Sequence, residues 1–147
     1  MTIKLQLESS LIDAMRAQDD LRKRTVRMAL SSLRLMEIEK GRELDDQAVT
    51  SILQKEVKTR QEAIEEAQRA GRPDLEQAAR AEIAVLEGFL PSQMSTEELE
   101  GLASQVISEL GATSQRDMGQ VMKALMPRLE GRASGEQASQ VVLKLLA

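Results

Sequence analysis

Apolar side chains recur three and four positions apart along almost the whole chain, and no stretch alternates apolar and polar residues with a period of two. This spacing is typical of amphipathic α-helices and not of half-buried β-strands. We therefore predict an all-α fold with seven helices. The expected ranges of the first four are about 3–17, 20–40, 46–70 and 73–89, and the apolar stripes of the last three span 99–110, 118–129 and 138–146.

Capping signals divide these helices into two groups. Gly71 and Pro73 stand in the order expected between two helices, so helices three and four should form a long antiparallel hairpin within an N-terminal four-helix region. The segment 88–94 then breaks the periodicity, and Ser95 with Glu98 has the spacing of a capping box. We place a domain boundary there, which gives an N-terminal helical domain at 1–90 and a C-terminal three-helix bundle at 91–147.

The composition removes most catalytic schemes. The chain contains no Cys and no His, so disulfides, thiolate zinc sites, cysteine nucleophiles and the usual general base are all missing. Serines such as Ser31, Ser32 and Ser51 lie mid-helix without a nucleophile elbow. No glycine-rich phosphate loop follows a strand, because no strand is predicted. We therefore predict no catalytic residue, no metal and no cofactor.

The same sequence has no apolar run long enough to cross a membrane and no signal-peptide pattern, which leads us to expect a cytoplasmic protein without a membrane partner. Phe89 is the only aromatic residue, so stacking platforms for single-stranded bases are missing as well. A nucleic-acid contact would have to use charge and backbone shape. The net charge of -4 argues against general affinity for polyanions, and DNA is not expected as a partner.

Three local clusters have competing interpretations. Carboxylates at 62, 65 and 66 share a helical face and can in principle hold a divalent cation, but the mixture with Lys55, Lys58, Arg60 and Arg69 favours a solvated face. The methionines at 118, 122 and 126 suit either an adaptable partner groove or core filling, and their spacing favours the core. Helix two carries the densest basic cluster, interpreted as a solvated face in preference to an RNA groove, with members Arg22, Lys23, Arg24, Arg27 and Arg34.

The segment 117–135 has features that packing alone does not require. Gly119 lies in the first turn of a helix, where glycine costs about 1 kcal/mol relative to Ala, which suggests close backbone approach to another helix or to a ligand. Pro127 should kink or end that helix. Gly131 and Gly135 bracket a tight turn, and residues 113–132 carry four basic against two acidic side chains. One face of the C-terminal bundle is therefore expected to be locally basic.

With these motifs the whole chain resembles the YqeY family, the freestanding relatives of the tail domain of the B subunit of the tRNA-dependent amidotransferase. Further landmarks of the resemblance are Gly41, the Gln54 to Arg60 stretch, Ala70 to Leu75 and Leu86 to Pro91. The resemblance implies a four-helix region followed by a three-helix bundle. In the amidotransferase the equivalent tail recognises the tRNA elbow by shape, while other parts of the complex carry the catalytic chemistry.

From charge and resemblance together we take a set of candidate RNA-binding residues in the C-terminal bundle: Arg116, Gly119, Lys123, Arg128, Gly131 and Arg132. The first functional hypothesis is a non-catalytic tRNA-binding or tRNA-associated accessory protein. The second is a helical protein-interaction module that docks on an aminoacylation or amidation complex. The third is a carbon–nitrogen ligase or amidase acting on charged tRNA, which the missing His and Cys disfavour.

Overall fold

The computed structural model describes residues 2–147 and is built from α-helices, as the hydrophobic spacing predicts. Over these residues it has seven α-helices and a short 3-10 turn, Gln115–Asp117, with no strand. None of the described helices is long and apolar enough to cross a membrane. The helices are α1 (Ile3–Arg16), α2 (Asp20–Lys40), α3 (Asp46–Arg69), α4 (Pro73–Glu87), α5 (Thr96–Leu110), α6 (Met118–Leu129) and α7 (Gly135–Leu146).

The helix ends follow from local chemistry. Asp19 and Asp45 are N-caps whose carboxylates accept from the backbone N–H groups of Arg22 at 3.2 Å and Ala48 at 2.9 Å, so orphan donors at both helix starts are satisfied. Between α3 and α4, Gly71 has φ +65°, a left-handed conformation that a side chain would strain. Pro73 then begins α4. The predicted helical hairpin is present.

The chain divides into two compact units, Met1–Leu90 and Pro91–Ala147. In the first unit α1 packs on α2, and α3 packs along α4. Their inward stripes form one core, and fully burying each large aliphatic side chain contributes about 1.5–3 kcal/mol. Its fully buried members include Leu7, Val26, Leu33, Val49, Leu53 and Leu86.

One buried cation joins three helices of this first unit. The Arg60 side chain is only 8% exposed and pairs with Glu56 at 2.7 Å and with Glu82 at 2.9 Å. Burial alone would lower the pKa of Arg60, but the hydrogen bonds to Glu56 and Glu82 raise it overall. Ser32 of α2 donates to Glu56 at 2.9 Å, which extends the network. The expectation that Arg60 belongs to a solvated face is therefore wrong.

In the second unit, α5, α6 and α7 pack against one another around a separate core. The fully buried residues there lie on the inner stripes of their helices: Val106 of α5, Val121 and Leu125 of α6, and Val142 of α7. Ser134 and Gln137 form a capping box at the start of α7. This small bundle carries all six candidate RNA-binding residues.

Candidate functional site

The outward face of α6 brings together three of the six candidates. Arg116, Gly119 and Lys123 are spaced by three and four residues, which places them in one row along the 3-10 turn and the start of α6. All three are exposed, and so is Gln120, which lies between the last two. Gln120 was not among the candidates, although its position four residues after Arg116 is a signal available in the sequence. We call these four residues, Arg116, Gly119, Gln120 and Lys123, the α6 strip.

The two cations of the α6 strip are free of acidic partners. Within residues 2–147 neither Arg116 nor Lys123 makes an ion pair or a side-chain hydrogen bond. The nearby carboxylate of Asp117 is occupied instead by the backbone N–H groups of Thr113 at 3.0 Å and Ser114 at 3.4 Å. That carboxylate fixes the turn before α6. The positive charge of the strip is therefore presented directly to solvent.

Gly119 has no conformational or steric role inside the chain. A Cβ built on Gly119 would have no atom of the described chain within 4 Å, and its φ is not in the left-handed region. The expected close approach of another helix is therefore wrong. The other expectation, close approach of a ligand, is compatible with this geometry, because Gly119 leaves an open patch of helix backbone between two cations.

Arg128 is placed elsewhere and is already neutralised. Its guanidinium donates to the Glu109 carboxylate of α5 at 2.6 Å, and this hydrogen bond lowers the pKa of Glu109. Arg128 follows Lys123 by five residues, which turns its side chain about 140° around the helix from the α6 strip. The pair ties the C-terminal ends of α5 and α6 together. Arg128 therefore does not add to the free charge of the strip.

Arg132 joins separate segments of the bundle. Its side chain donates to the Ser92 carbonyl at 3.0 Å and to the Glu98 carboxylate at 2.9 Å. Its own carbonyl accepts from the Met94 N–H at 2.8 Å. Ser95 still caps α5 by accepting from the Glu98 N–H at 3.1 Å, while the Glu98 carboxylate goes to Arg132. These contacts make Arg132 a positioning residue of the turn after α6.

The end of α6 explains the second glycine candidate. Glu130 and Gly131 both have left-handed backbone conformations, with φ +51° and +74°. Glycine adopts this geometry without strain, so Gly131 is required by the turn. The helix runs through Pro127 to Leu129, where its predicted apolar stripe ends, so of the two effects expected of the proline, a kink or an end, it does not end the helix. Pro127 lies in the last turn of α6, exposed and four residues after Lys123.

The other clusters singled out in the sequence are also accounted for. Met118 and Met122 pack against the C-terminal core, whereas Met126 is 42% exposed and lies near Gly135. The carboxylates at 62, 65 and 66 are exposed, and no described group of three acidic side chains is arranged to hold a metal ion. In helix two, three basic residues have acidic neighbours, in the pairs Arg22–Asp19, Lys23–Asp20 and Arg24–Glu82.

Comparison with known proteins gives one family and several relatives. Residues 4–146 match the model of the family described as Yqey-like protein. The chain is 34% identical over 107 residues to "Altered inheritance of mitochondria protein 41, mitochondrial" of Lachancea thermotolerans, covering 71% of this chain and 57% of the relative. The proteins of the same name from Eremothecium gossypii and Kluyveromyces lactis are each 33% identical, covering 73% and 71% of this chain. The chain spans 57–60% of the length of these relatives.

Proposed function

Because the chain belongs to the family of Yqey-like proteins, we propose that it is a non-catalytic accessory protein that binds tRNA through the α6 strip. The observation that carries the proposal is the pair of exposed, unpaired cations, Arg116 and Lys123, on either side of the uncovered backbone at Gly119. The resemblance to the amidotransferase tail supplies tRNA as the nucleic acid. The relatives' name refers to mitochondria, whereas the sequence led us to expect a cytoplasmic protein. The proposal holds for tRNA in either compartment.

The strip suits the backbone of a folded RNA better than its bases. Arg and Lys contact phosphates without regard to sequence, and such contacts position a protein on the nucleic acid. Without a side chain at Gly119, a ribose or phosphate can approach the helix backbone closely. The only aromatic residue of the chain, Phe89, packs against the core of the first unit and is not available for base stacking. We therefore expect the α6 strip to recognise a folded RNA by its shape and charge.

The ion pairs of the bundle set the expected strength of binding. Four of the six candidate residues are cations, and two of these, Arg128 and Arg132, already pair with Glu109 and Glu98. Two free cations remain on the strip. With about 0.7–0.9 counterions released per phosphate contact, the slope of log affinity against log salt should be about -1.4 to -1.8. Binding should therefore be weak and easily lost at physiological salt.

The direct test measures tRNA binding by fluorescence anisotropy at low salt and then across a salt series. The double reversal R116E/K123E should reduce affinity at least ten-fold, because it replaces both attractive charges with repulsive ones. The matched control is K55E/K58E, which reverses two exposed lysines of α3 in the first unit. Equal losses of tRNA affinity in the two variants would show that only the net charge of the protein matters. Undiminished tRNA binding by R116E/K123E would show that the α6 strip is not the binding site.

A further inference from the structure

The outward face of α2 carries large apolar side chains that no other helix of the first unit covers. Leu35 and Ile38 are 70% and 71% exposed, the highest values among the exposed large apolar residues, and Met28 is 50% exposed. With the exposed Ser31 they lie at spacings of three, four and three residues. The opposite face of α2, with Val26, Ala29 and Leu33, is buried in the core. The helix is thus apolar on two faces, and only one of them is used for folding.

This outward spacing is that of a coiled-coil seam. In a heptad, the first and fourth positions form a stripe that packs against a second helix, and residues 28, 31, 35 and 38 occupy those positions. Apolar residues at both ends of the stripe provide knobs for the holes of a facing helix. We call these four residues the α2 seam. A helical partner fits its length of roughly three turns.

The charges beside the seam select the partner. Arg27 and Arg34 each directly precede a first-position residue of the seam, where coiled coils place the charges that choose partners. Both are exposed, and neither makes an ion pair within residues 2–147. Arg34 acts through space on Glu37, which is held by Lys4 at 3.1 Å. No acidic residue occurs between positions 21 and 36, whereas the exposed Glu39 directly follows Ile38 on the other flank. The flank formed by Arg27 and Arg34 is therefore cationic.

We propose that the α2 seam docks an amphipathic helix of a partner protein whose own apolar stripe is flanked by Asp or Glu. Leucine and isoleucine on the seam supply the buried contact, and Arg27 and Arg34 supply complementary charge. Antiparallel pairing of two α2 seams is disfavoured, because it would bring arginines of the same charge together. A parallel pair would set Glu39 of one copy beside Arg34 of the other, and a dimer of the full chain that L35E/I38E dissolves in analytical ultracentrifugation would overturn the proposal. RNA would leave the apolar side chains without a role. A lipid surface would be expected to use interfacial aromatic residues, and the seam has none.

The proposal is independent of tRNA binding, since it concerns α2 and not the α6 strip. The probe is a labelled synthetic peptide of about three heptads with Leu and Ile on its stripe and Glu on both flanks, which keeps it from pairing with itself. A matched peptide carries Lys in place of each Glu. Binding of each peptide to the full chain is measured by fluorescence anisotropy. We expect the acidic peptide to bind at least ten-fold more tightly than the lysine peptide.

Variants of the full chain then assign the site. L35E/I38E should weaken acidic-peptide binding at least ten-fold, whereas L75E, an equivalent change at a 50% exposed leucine of α4, should leave it unchanged. R27E/R34E should reverse the preference in favour of the lysine peptide, and this arm decides the matter if L35E/I38E fails to fold. Circular dichroism checks the helicity of each variant.

Several results would overturn the proposal. Equal affinity for the two peptides, no binding of either, or the same loss in L75E would each show that the seam is not a selective helix site. Binding to phosphatidylserine vesicles that L35E/I38E abolishes, without peptide binding, would assign the face to lipid. Loss of tRNA affinity in R27E/R34E, again without peptide binding, would assign it to RNA.

Discussion

Replacing Gly119 with leucine should raise stability and lower tRNA affinity in the same molecule. Glycine in a helix costs about 0.5–1 kcal/mol relative to alanine, and leucine is nearly as good a helix former as alanine. A Cβ at Gly119 meets nothing within 4 Å, so the new side chain starts in open space. We therefore expect G119L to increase the free energy of unfolding by about 0.5–1 kcal/mol.

The effect on binding has the opposite sign. Leucine at position 119 would stand between Arg116 and Lys123 and keep a phosphate or ribose away from the helix backbone. Its bulk does not remove either charge, so a loss of affinity reports close approach and not electrostatics. We expect at least a ten-fold loss of tRNA affinity, equivalent to about 1.4 kcal/mol. Urea unfolding and tRNA anisotropy, made on the same preparation, measure the two quantities.

Gly101 provides a matched control for this prediction. It lies within α5, is exposed, and a Cβ built on it also meets nothing within 4 Å. G101L should therefore show a similar gain in stability without a loss of tRNA affinity. If G119L is destabilised, the argument from open space fails. If G119L and G101L bind tRNA equally well, the RNA backbone does not approach α6 at Gly119.

Three further predictions concern the ion pairs. R132A should destabilise the C-terminal unit by about 1–2 kcal/mol in urea unfolding, through the lost hydrogen bonds to the Ser92 carbonyl and the Glu98 carboxylate. The folded fraction should still bind tRNA normally, and an equal loss of affinity would return Arg132 to the binding site. R60A should cost about 2–4 kcal/mol, because it leaves the partly buried Glu56 without a cation and Glu82 with only Arg24 at 3.5 Å, and a cost below about 1 kcal/mol would refute that interpretation. The hydrogen bond from Lys4 lowers the pKa of Glu37, so this pair should stabilise the protein at neutral pH and lose its effect as the pH falls below the ordinary carboxyl value of about 4.3. K4M should therefore be less stable than wild type in urea at pH 7, with a smaller deficit at pH 3, and an equal deficit at both values would exclude the linkage.

Helix positions could be predicted from the sequence because their signals are local. The periodicity of three and four, the caps at Asp19 and Asp45, and the turn at Gly71 each depend on residues within one or two turns of each other. The α5 and α7 helices each begin three residues before the first apolar residue of their stripe, because Ser95 and Ser134 cap them there. The α6 helix continues past Pro127 because a proline in the last turn removes few hydrogen bonds.

The partners of charged residues could not be predicted in the same way, because they depend on packing between helices. Arg60 looks like one of several cations on a charged helix, yet it is buried because α4 places Glu82 against it. Glu98 has the spacing of a capping box, yet its carboxylate binds Arg132, 34 residues away in the sequence. A single sequence shows the spacing of charges along one helix. It does not show which carboxylate a neighbouring helix brings within reach.

This distinction also decides which part of the basic segment is a candidate site. Arg116, Lys123, Arg128 and Arg132 are equivalent in composition, and their proximity in sequence suggested one basic surface. Folding places acidic side chains of α5 beside the last two and none beside the first two. The same process leaves Arg27 and Arg34 unpaired on α2 while neighbouring basic residues are neutralised. In a chain without histidine or cysteine, unpaired cations on exposed helix faces are groups that a partner can recognise, and these two faces differ in what lies between their charges. Open backbone separates the cations on α6, which suits a nucleic-acid backbone, whereas leucine and isoleucine lie beside those on α2, which suits another helix.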